Sequence, residues 1–364
     1  MLSFHSLRVS AVELIADDAA CVTLQIPPAL RDAFAHHAGQ YVTVRRMIDG
    51  REERRTYSIV TAPGGGVLKL GIRLQPHGRM SGDLVSNVRP GDLLDVGTPM
   101  GRFRTAVSPE REHSYVAFAA GSGITPILSL ATDILAREPR SRFTLIYGNR
   151  SISRTMFLEE TLALKNRYIE RFSVHFVMSR ESQHTQWLNG RIDGAKVREL
   201  ARHMSEVSNA DEYLLCGPGD MVDEVRDALK ELNGNAPIRF ERFAAAAPAS
   251  GAMPIAPVTR QRDVEPQLEQ PLATITVEMD GRRRSFPMAR SDASVLDAAE
   301  RAGLELPFSC RSGICATCRA RITDGAAVMT HNIALEPWET AAGFVLCCQA
   351  RPTTATLEIS YDHK

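Results

Sequence analysis

The sequence predicts a multidomain chain, β followed by α/β followed by α+β, and three observations predict it. Residues 1–105 carry short alternating runs cut by turn signals, the pattern of an antiparallel barrel. From about residue 112 to 240, apolar runs alternate with helical segments, which implies a parallel sheet covered on both faces. Near the C-terminus a hairpin and a helix lead into SCRSGICATC, residues 309–318, a loop with three cysteines.

The barrel strands are VTLQI at 22–26, QYVTVRRMI at 40–48, TYSIV at 57–61 and LKLGIRL at 68–74, with PGGG at 63–66 as a turn. In the second part SYVAFAAG leads into TPILSLATDIL, RFTLIYGNR into TMFLEETLALK, and EYLLCGPGD into MVDEVRDALKEL. Ala and Pro then dominate residues 244–271, which follow neither period 2 nor period 3.6 and read as a semi-extended linker. After it, ATITVEMD and RRSFPM form a hairpin around Asp280-Gly281, and SVLDAAERAG a helix. No internal repeat is evident.

With 364 residues the chain can hold two or three cores. Its 43 basic and 43 acidic residues cancel, so charge makes no case for nucleic acid or an anionic membrane. The start, MLSFHSLRVS, lacks the charged and apolar regions of a signal peptide, and no apolar run is long enough to span a bilayer. The expected location is the cytoplasm. Seven cysteines, five of them crowded after residue 309, make a poor disulfide framework there and point to a metal site or redox chemistry.

Cys310-x4-Cys315-x2-Cys318 has the spacing of three thiolate ligands to a [2Fe–2S] cluster. The fourth ligand is then Cys347 or Cys348. Structural zinc favours two C-x2-C units, and only one such pair is present. A redox pair made by Cys315 and Cys318 would leave Cys310 unexplained. Gly313 and Ala316 are small enough to let backbone N–H groups approach the sulfurs. Residues 273–364 as a whole resemble plant-type ferredoxins, which implies a β-grasp fold and selects Cys348, with 29 residues between it and Cys318. Alternation along a strand agrees, because it turns Cys347 to the opposite face. Cys347 and Cys21 are expected to be buried thiols without a chemical role.

Upstream, Arg55-Thr56-Tyr57-Ser58 matches the Arg-x-Tyr-Ser signature of the ferredoxin–NADP reductase superfamily, which residues 1–243 resemble through several motifs in order. The resemblance implies that Arg55 pairs with a flavin phosphate, Tyr57 packs on the isoalloxazine and Ser58 hydrogen-bonds its N5. A guanidinium suits phosphate and an aromatic ring suits a flat heterocycle. Gly78-Arg79-Met80-Ser81 opens a helix-like run whose free N–H groups suit a pyrophosphate, which favours FAD. AAGSGITP at 119–126 has the family's nicotinamide-domain form, so Gly121, Gly123 and Thr125 are expected NAD(P)H contacts, with Thr125 able to cap. No acidic residue ends the next strand; Asn149-Arg150 stands there instead. Ser179-Arg180, with Arg150, resembles a 2′-phosphate site and favours NADPH. Cys216-Gly217-Pro218 matches the family's Cys-Gly-Pro, whose thiol lies beside the nicotinamide. Glu241 and Phe243 resemble its Glu-x-aromatic ending, with Phe in place of Tyr. Ser58, Cys216 and Glu241 are the expected catalytic residues.

The order flavin (1–107), NAD(P) (112–243), linker and ferredoxin (272–364) resembles reductase components of bacterial multicomponent oxygenases. It implies hydride transfer from NAD(P)H to FAD, single electrons to the [2Fe–2S] cluster, and delivery to an oxygenase protein. YGNRS, MSRES and ARPT favour the phenylacetyl-CoA epoxidase type and hence aromatic catabolism; a ring- or steroid-hydroxylating system, or a stand-alone diaphorase or oxidase, is the alternative. No oxygenase metal ligands are evident, so the substrate is oxidised elsewhere. Residues 273–364 hold ten Lys/Arg and eleven Asp/Glu, a net of −1. A tethered ferredoxin, held at roughly millimolar effective concentration, needs no strongly acidic docking face.

Overall fold

The computed structural model describes residues 3–243 and 272–363; the segment read as a linker lies outside the described residues. Two compact units result, one on each side of that segment.

The first unit begins with β1 (Phe4–Ala16), β2 (Ala19–Gln25), β3 (Tyr41–Ile48), β4 (Arg51–Ser58), β5 (Val67–Arg73), helix α1 (Arg79–Ser86) and β6 (Leu93–Gly97). The strands form an antiparallel sheet in the order β4-β3-β6-β1-β2-β5. An Ile59–Leu70 bridge joins the two edges, so the sheet closes into a barrel. Leu7, Val9, Val22, Leu24, Val42, Val44, Leu70 and Val96 fill it. The sequence pattern misses β1 and β6. In β1 the register shifts between Val9 and Ala11 and again between Leu14 and Ala16, and these bulges break the period-2 signal. The expected strand at 57–61 ends at Ser58.

The same unit continues through β7 (Ser114–Ala120), α2 (Ile124–Arg137), β8 (Arg142–Asn149), α3 (Leu158–Arg167), β9 (Phe172–Met178), α4 (Gly194–His203), β10 (Glu212–Pro218), α5 (Gly219–Leu232) and β11 (Ile238–Phe243). The sheet order is β11-β10-β7-β8-β9 and every pairing is parallel. Along β7, Tyr115, Ala117 and Ala119 join the core beneath α2, while Val116 and Phe118 join the core beneath α4 and α5. Both faces are therefore dry, as the continuous apolar run SYVAFAA requires. The α2 core also takes in Ala19, Cys21, Val60 and Phe103 from the barrel side, so barrel and parallel sheet are packed as one body.

The second unit contains β12 (Ala273–Met279), β13 (Arg282–Met288), α6 (Val295–Arg301), β14 (Arg319–Met329), α7 (Pro337–Ala341), β15 (Phe344–Leu346) and β16 (Ala350–Ser360). The mixed sheet runs β13-β12-β16-β14-β15, with β12 and β16 parallel, a β-grasp. Asp280 and Gly281 both have positive φ, +53° and +68°, as a two-residue hairpin turn demands. Ser294 caps α6 by accepting from the Asp297 N–H. Among the described residues no helix is long and apolar enough to cross a membrane.

Candidate functional site

On β4 Arg55 and Glu53 are two positions apart and share a face, where they form an ion pair at 3.1 Å. Glu53 also pairs with Arg79 at 3.2 Å, so one carboxylate gathers two guanidiniums from separate elements. No sequence motif marks Glu53, although strand alternation alone puts it beside Arg55. Arg79 opens α1, which starts without a side-chain cap, leaving the N–H groups of Arg79, Met80 and Ser81 outside the helix's own bonding. A Cβ on Gly78 would stand 2.5 Å from Ser81 Oγ and 2.8 Å from Gln75 Cβ, so a larger residue there would have to push these side chains aside. Met80 is buried in the barrel core, and the Ser81 hydroxyl already donates to Gly78 O. Both can offer a phosphate only backbone N–H. Thr56 lies beside Tyr57, which is partly buried, and burial pushes its phenol well above the usual range.

Ser58 ends β4, and its side chain lies beside the Glu241 carboxylate on β11. Glu241 in turn sits in register with Cys216 on β10. The structure thus brings together three residues that lie far apart in sequence, where the barrel meets the C-terminal edge of the parallel sheet. Glu241 as a residue is partly exposed, but its Oε2 is buried without a partner, and burial pushes the carboxyl up to about 8. Burial first, then the Glu241 charge, pushes the Cys216 thiol well up, so it stays protonated.

The Gly121–Gly123 turn between β7 and α2 rests on this group, because a Cβ on Gly123 would stand 2.1 Å from Cys216 O. Gly121 has φ +55°, and the buried Tyr147 hydroxyl donates to its carbonyl at 2.9 Å. Thr125 is not the expected cap. It lies inside the first turn of α2, and its hydroxyl donates back to Ser122 O at 2.9 Å. Gly217 follows Cys216 on β10, and Phe243 ends β11 opposite Pro218, partly buried against the α2 core.

Arg150, Ser179 and Arg180 lie just beyond β8 and β9, on the same edge. Ser179 donates to Asn149 O from both its N–H and its hydroxyl, and the Arg180 N–H donates to Arg150 O. Burial and then the Arg180, Arg154 and Arg73 guanidiniums hold Arg150 below the usual arginine range, as in a site short of an anion. Asn149 Nδ2 is buried there with no partner. The orphaned Asn149 amide and the crowded cations fit a nucleotide.

In the second unit the loop from Cys310 to Cys318 has left-handed residues at Arg311, Gly313 and Ala316, a backbone that turns successive N–H groups inward. The Ser312 and Cys315 N–H groups donate to Cys310 Sγ at 3.5 and 3.4 Å. A Cβ on Gly313 would meet His331 O at 2.7 Å. Cys310 faces Cys315, and Cys318 faces Cys348, as two separate pairs of thiols. In each pair the neighbouring thiol pushes one member down, Cys310 to about 4 and Cys348 likewise downward, and the other member up.

Among the described residues no three His, Cys, Asp or Glu side chains converge on a single ion. Two separate thiol pairs suit two irons with two protein ligands each, joined by bridging sulfides, and do not suit one tetrahedral zinc. Ser309 Oγ, buried beside the loop without a partner, adds to that fit. One expectation needs correcting. Cys347 and Cys348 lie in the turn after β15 and not on a strand, so alternation is not what separates them. Cys347 is buried in the core facing the Tyr361 hydroxyl, and burial pushes its thiol up to about 12.

Known proteins share this arrangement. An oxidoreductase FAD-binding domain matches residues 6–105, an oxidoreductase NAD-binding domain 118–227, and a 2Fe-2S iron-sulfur cluster binding domain 277–353. A subunit of the 1,2-phenylacetyl-CoA epoxidase of Escherichia coli (strain K12) is 38% identical, over 100% of this chain and 99% of the relative. The ferredoxin reductase component of the 3-ketosteroid-9-alpha-monooxygenase of Rhodococcus rhodochrous is 29% identical, over 98% and 96%. Phthalate dioxygenase reductase, described as a modular structure for electron transfer from pyridine nucleotides to [2Fe-2S], superposes with a TM-score of 0.57 at 23% identity over 98% of each chain, a likeness of fold. Fold and sites define the class: an oxidoreductase with FAD-, NAD- and 2Fe-2S-binding domains on one chain, the reductase component of a multicomponent oxygenase. The chain belongs to the family that includes this component of the 1,2-phenylacetyl-CoA epoxidase.

Proposed function

We propose that this reductase draws on NADPH and delivers single electrons to the oxygenase component of a phenylacetyl-CoA epoxidase in the cytoplasm. The full-length likeness to the epoxidase component from Escherichia coli carries this reading. When bound, FAD and the cluster supply the conversion of a two-electron hydride donor into one-electron steps. The chain's own residues bind, orient and exclude water. Within a domain assigned to 1–107, Arg55 and Arg79 hold the flavin phosphates with the α1 N–H groups, and Tyr57 covers the ring system. Ser58 donates a hydrogen bond at the ring edge. Within 112–243, the turn at Gly121–Gly123 and Thr125 receive the pyrophosphate, and Arg150, Ser179 and Arg180 hold the 2′-phosphate. Cys216 and Gly217 shape the nicotinamide pocket, Glu241 keeps its proton at neutral pH, and Phe243 shields the flavin face. Within 272–364, Cys310, Cys315, Cys318 and Cys348 ligate the irons.

The preference for NADPH is supported by Arg150 and Arg180, whose charges crowd one another. Stopped-flow reduction with NADPH and NADH, followed by electron delivery to a purified phenylacetyl-CoA epoxidase oxygenase and to a steroid hydroxylase, tests the reading. Faster bleaching with NADPH and turnover of the epoxidase alone are expected. Turnover of the steroid system alone, or a preference for NADH, overturns the corresponding part.

A further inference from the structure

The four thiols come from two stretches of chain, the loop at 310–318 and the turn at 348, and something must hold these stretches in register. Gln349 lies between them, 8% exposed. Its Nε2 donates to Arg311 O at 2.8 Å and to Cys348 Sγ at 3.8 Å. The longer contact reflects the larger sulfur atom, and sulfur becomes a better acceptor once it is a thiolate. The backbone of Gln349 is pinned on both sides, since its N–H donates to Leu346 O at 2.8 Å and its carbonyl accepts from Thr330 N–H at 3.0 Å. Its Cγ would stand 3.3 Å from a Cβ on Gly313, so the side chain also closes against the tightest point of the loop. One primary amide nitrogen has two hydrogens, and here each has its own acceptor.

We propose that Gln349 is a positioning residue of the iron–sulfur centre: its carboxamide ties the sulfur of the fourth ligand to the loop bearing the other three, and its N–H···S bond favours the reduced cluster. The inference rests on the reading of Cys348 as a ligand. Its physical basis is that reduction adds negative charge to the cluster and its sulfurs, so a donor at a ligand sulfur stabilises the reduced state more than the oxidised one. Gln349→Leu removes the donor. Gln349→Glu keeps the shape but replaces the donor with an acceptor, and a negative charge beside the sulfur works in the same direction.

The test uses the full-length holoprotein and its two variants, with iron content, the electron paramagnetic resonance spectrum of the reduced cluster, and redox equilibration against a reference dye. Both variants are expected to load iron. Their reduction equilibrium should shift toward the oxidised cluster by roughly fivefold for Gln349→Leu, the worth of one ordinary hydrogen bond, and by more for Gln349→Glu. The g-values should move with it. Full iron content with unchanged equilibrium and spectrum in both variants overturns the proposal. Loss of iron from both also overturns it, because Gln349 would then be scaffold alone. The underlying ligand reading fails separately, if Cys348→Ser keeps the wild-type cluster spectrum.

Discussion

At Glu241 a carboxyl held up to about 8 meets a serine on a different sheet. Below that pH it is neutral beside Ser58 and Cys216; above it a buried charge appears. Flavin reduction by NADPH is therefore expected to slow as pH rises through about 8, and Glu241→Gln to flatten that profile in stopped-flow traces. Stability has the same sign. The folded state holds this proton more tightly than the unfolded chain, whose ordinary value is 4.5, so the contribution is full below about 4.5 and is lost as pH rises toward 8. Thermal melts across that window should show the slope in the wild type and lack it in Glu241→Gln. Cysteine substitutions separate the two neighbours in the terminal cluster. Cys348→Ser should lose cluster absorbance and iron, while Cys347→Ala should keep both, because Cys347 faces the Tyr361 hydroxyl in the core.

The strand–turn–helix from β7 to α2 carries the proposed nucleotide site, and its two glycines serve different ends. At Gly123 a Cβ would meet the Cys216 carbonyl at 2.1 Å, and backbone on both sides leaves no atom free to give way. At Gly121 the space is open and only the positive φ matters. Gly123→Ala should raise the NADPH KM by about tenfold or more, since small misplacements cost large factors, with flavin content retained. Gly121→Ala should cost about 1 kcal/mol of strain and a smaller change in KM. Titration with NADPH under anaerobic conditions checks both. An equal effect of the two substitutions would mean that the packing against Cys216 is unimportant.

Across the first unit, one acidic residue between two arginines braces the junction of barrel and parallel sheet beside their shared core. Asp18, in the turn after β1, pairs with Arg73 of β5 at 3.0 Å and with Arg154 beyond β8, and is only 14% exposed. Removing it leaves two guanidiniums facing each other across the junction. Asp18→Ala is expected to cost roughly 2–3 kcal/mol and lower the melting temperature by several degrees, with earlier release of flavin on heating. Calorimetry with flavin fluorescence as a second signal checks this; an unchanged melt would show that the shared core around α2 suffices alone. In the other unit the cysteine loop is held from the segment between β14 and α7, where the N–H groups of Ile333 and Ala334 donate to Gly313 O.

Local chemistry was readable without a structure. Cys310, Cys315 and Cys318 stand on one loop, the spacing that the proposed two-iron site needs. Arg55 to Ser58 stand on one strand, β4, as the sequence pattern expects, and the proposed flavin contacts would all come from that one strand end. Apolar periodicity marked α2, α3 and α5 and the strands β7, β8 and β10 but not α4 or β11, and the bulged β1 hid because its period breaks. Only the tertiary structure decided which distant groups meet: Ser58 with Glu241, Glu53 with two arginines, Cys318 with Cys348, Asp18 with Arg154. Periodicity reports which face a residue shares, but the partner across that face, and the burial that shifts a proton or orients an amide such as Gln349, arises when separate elements pack.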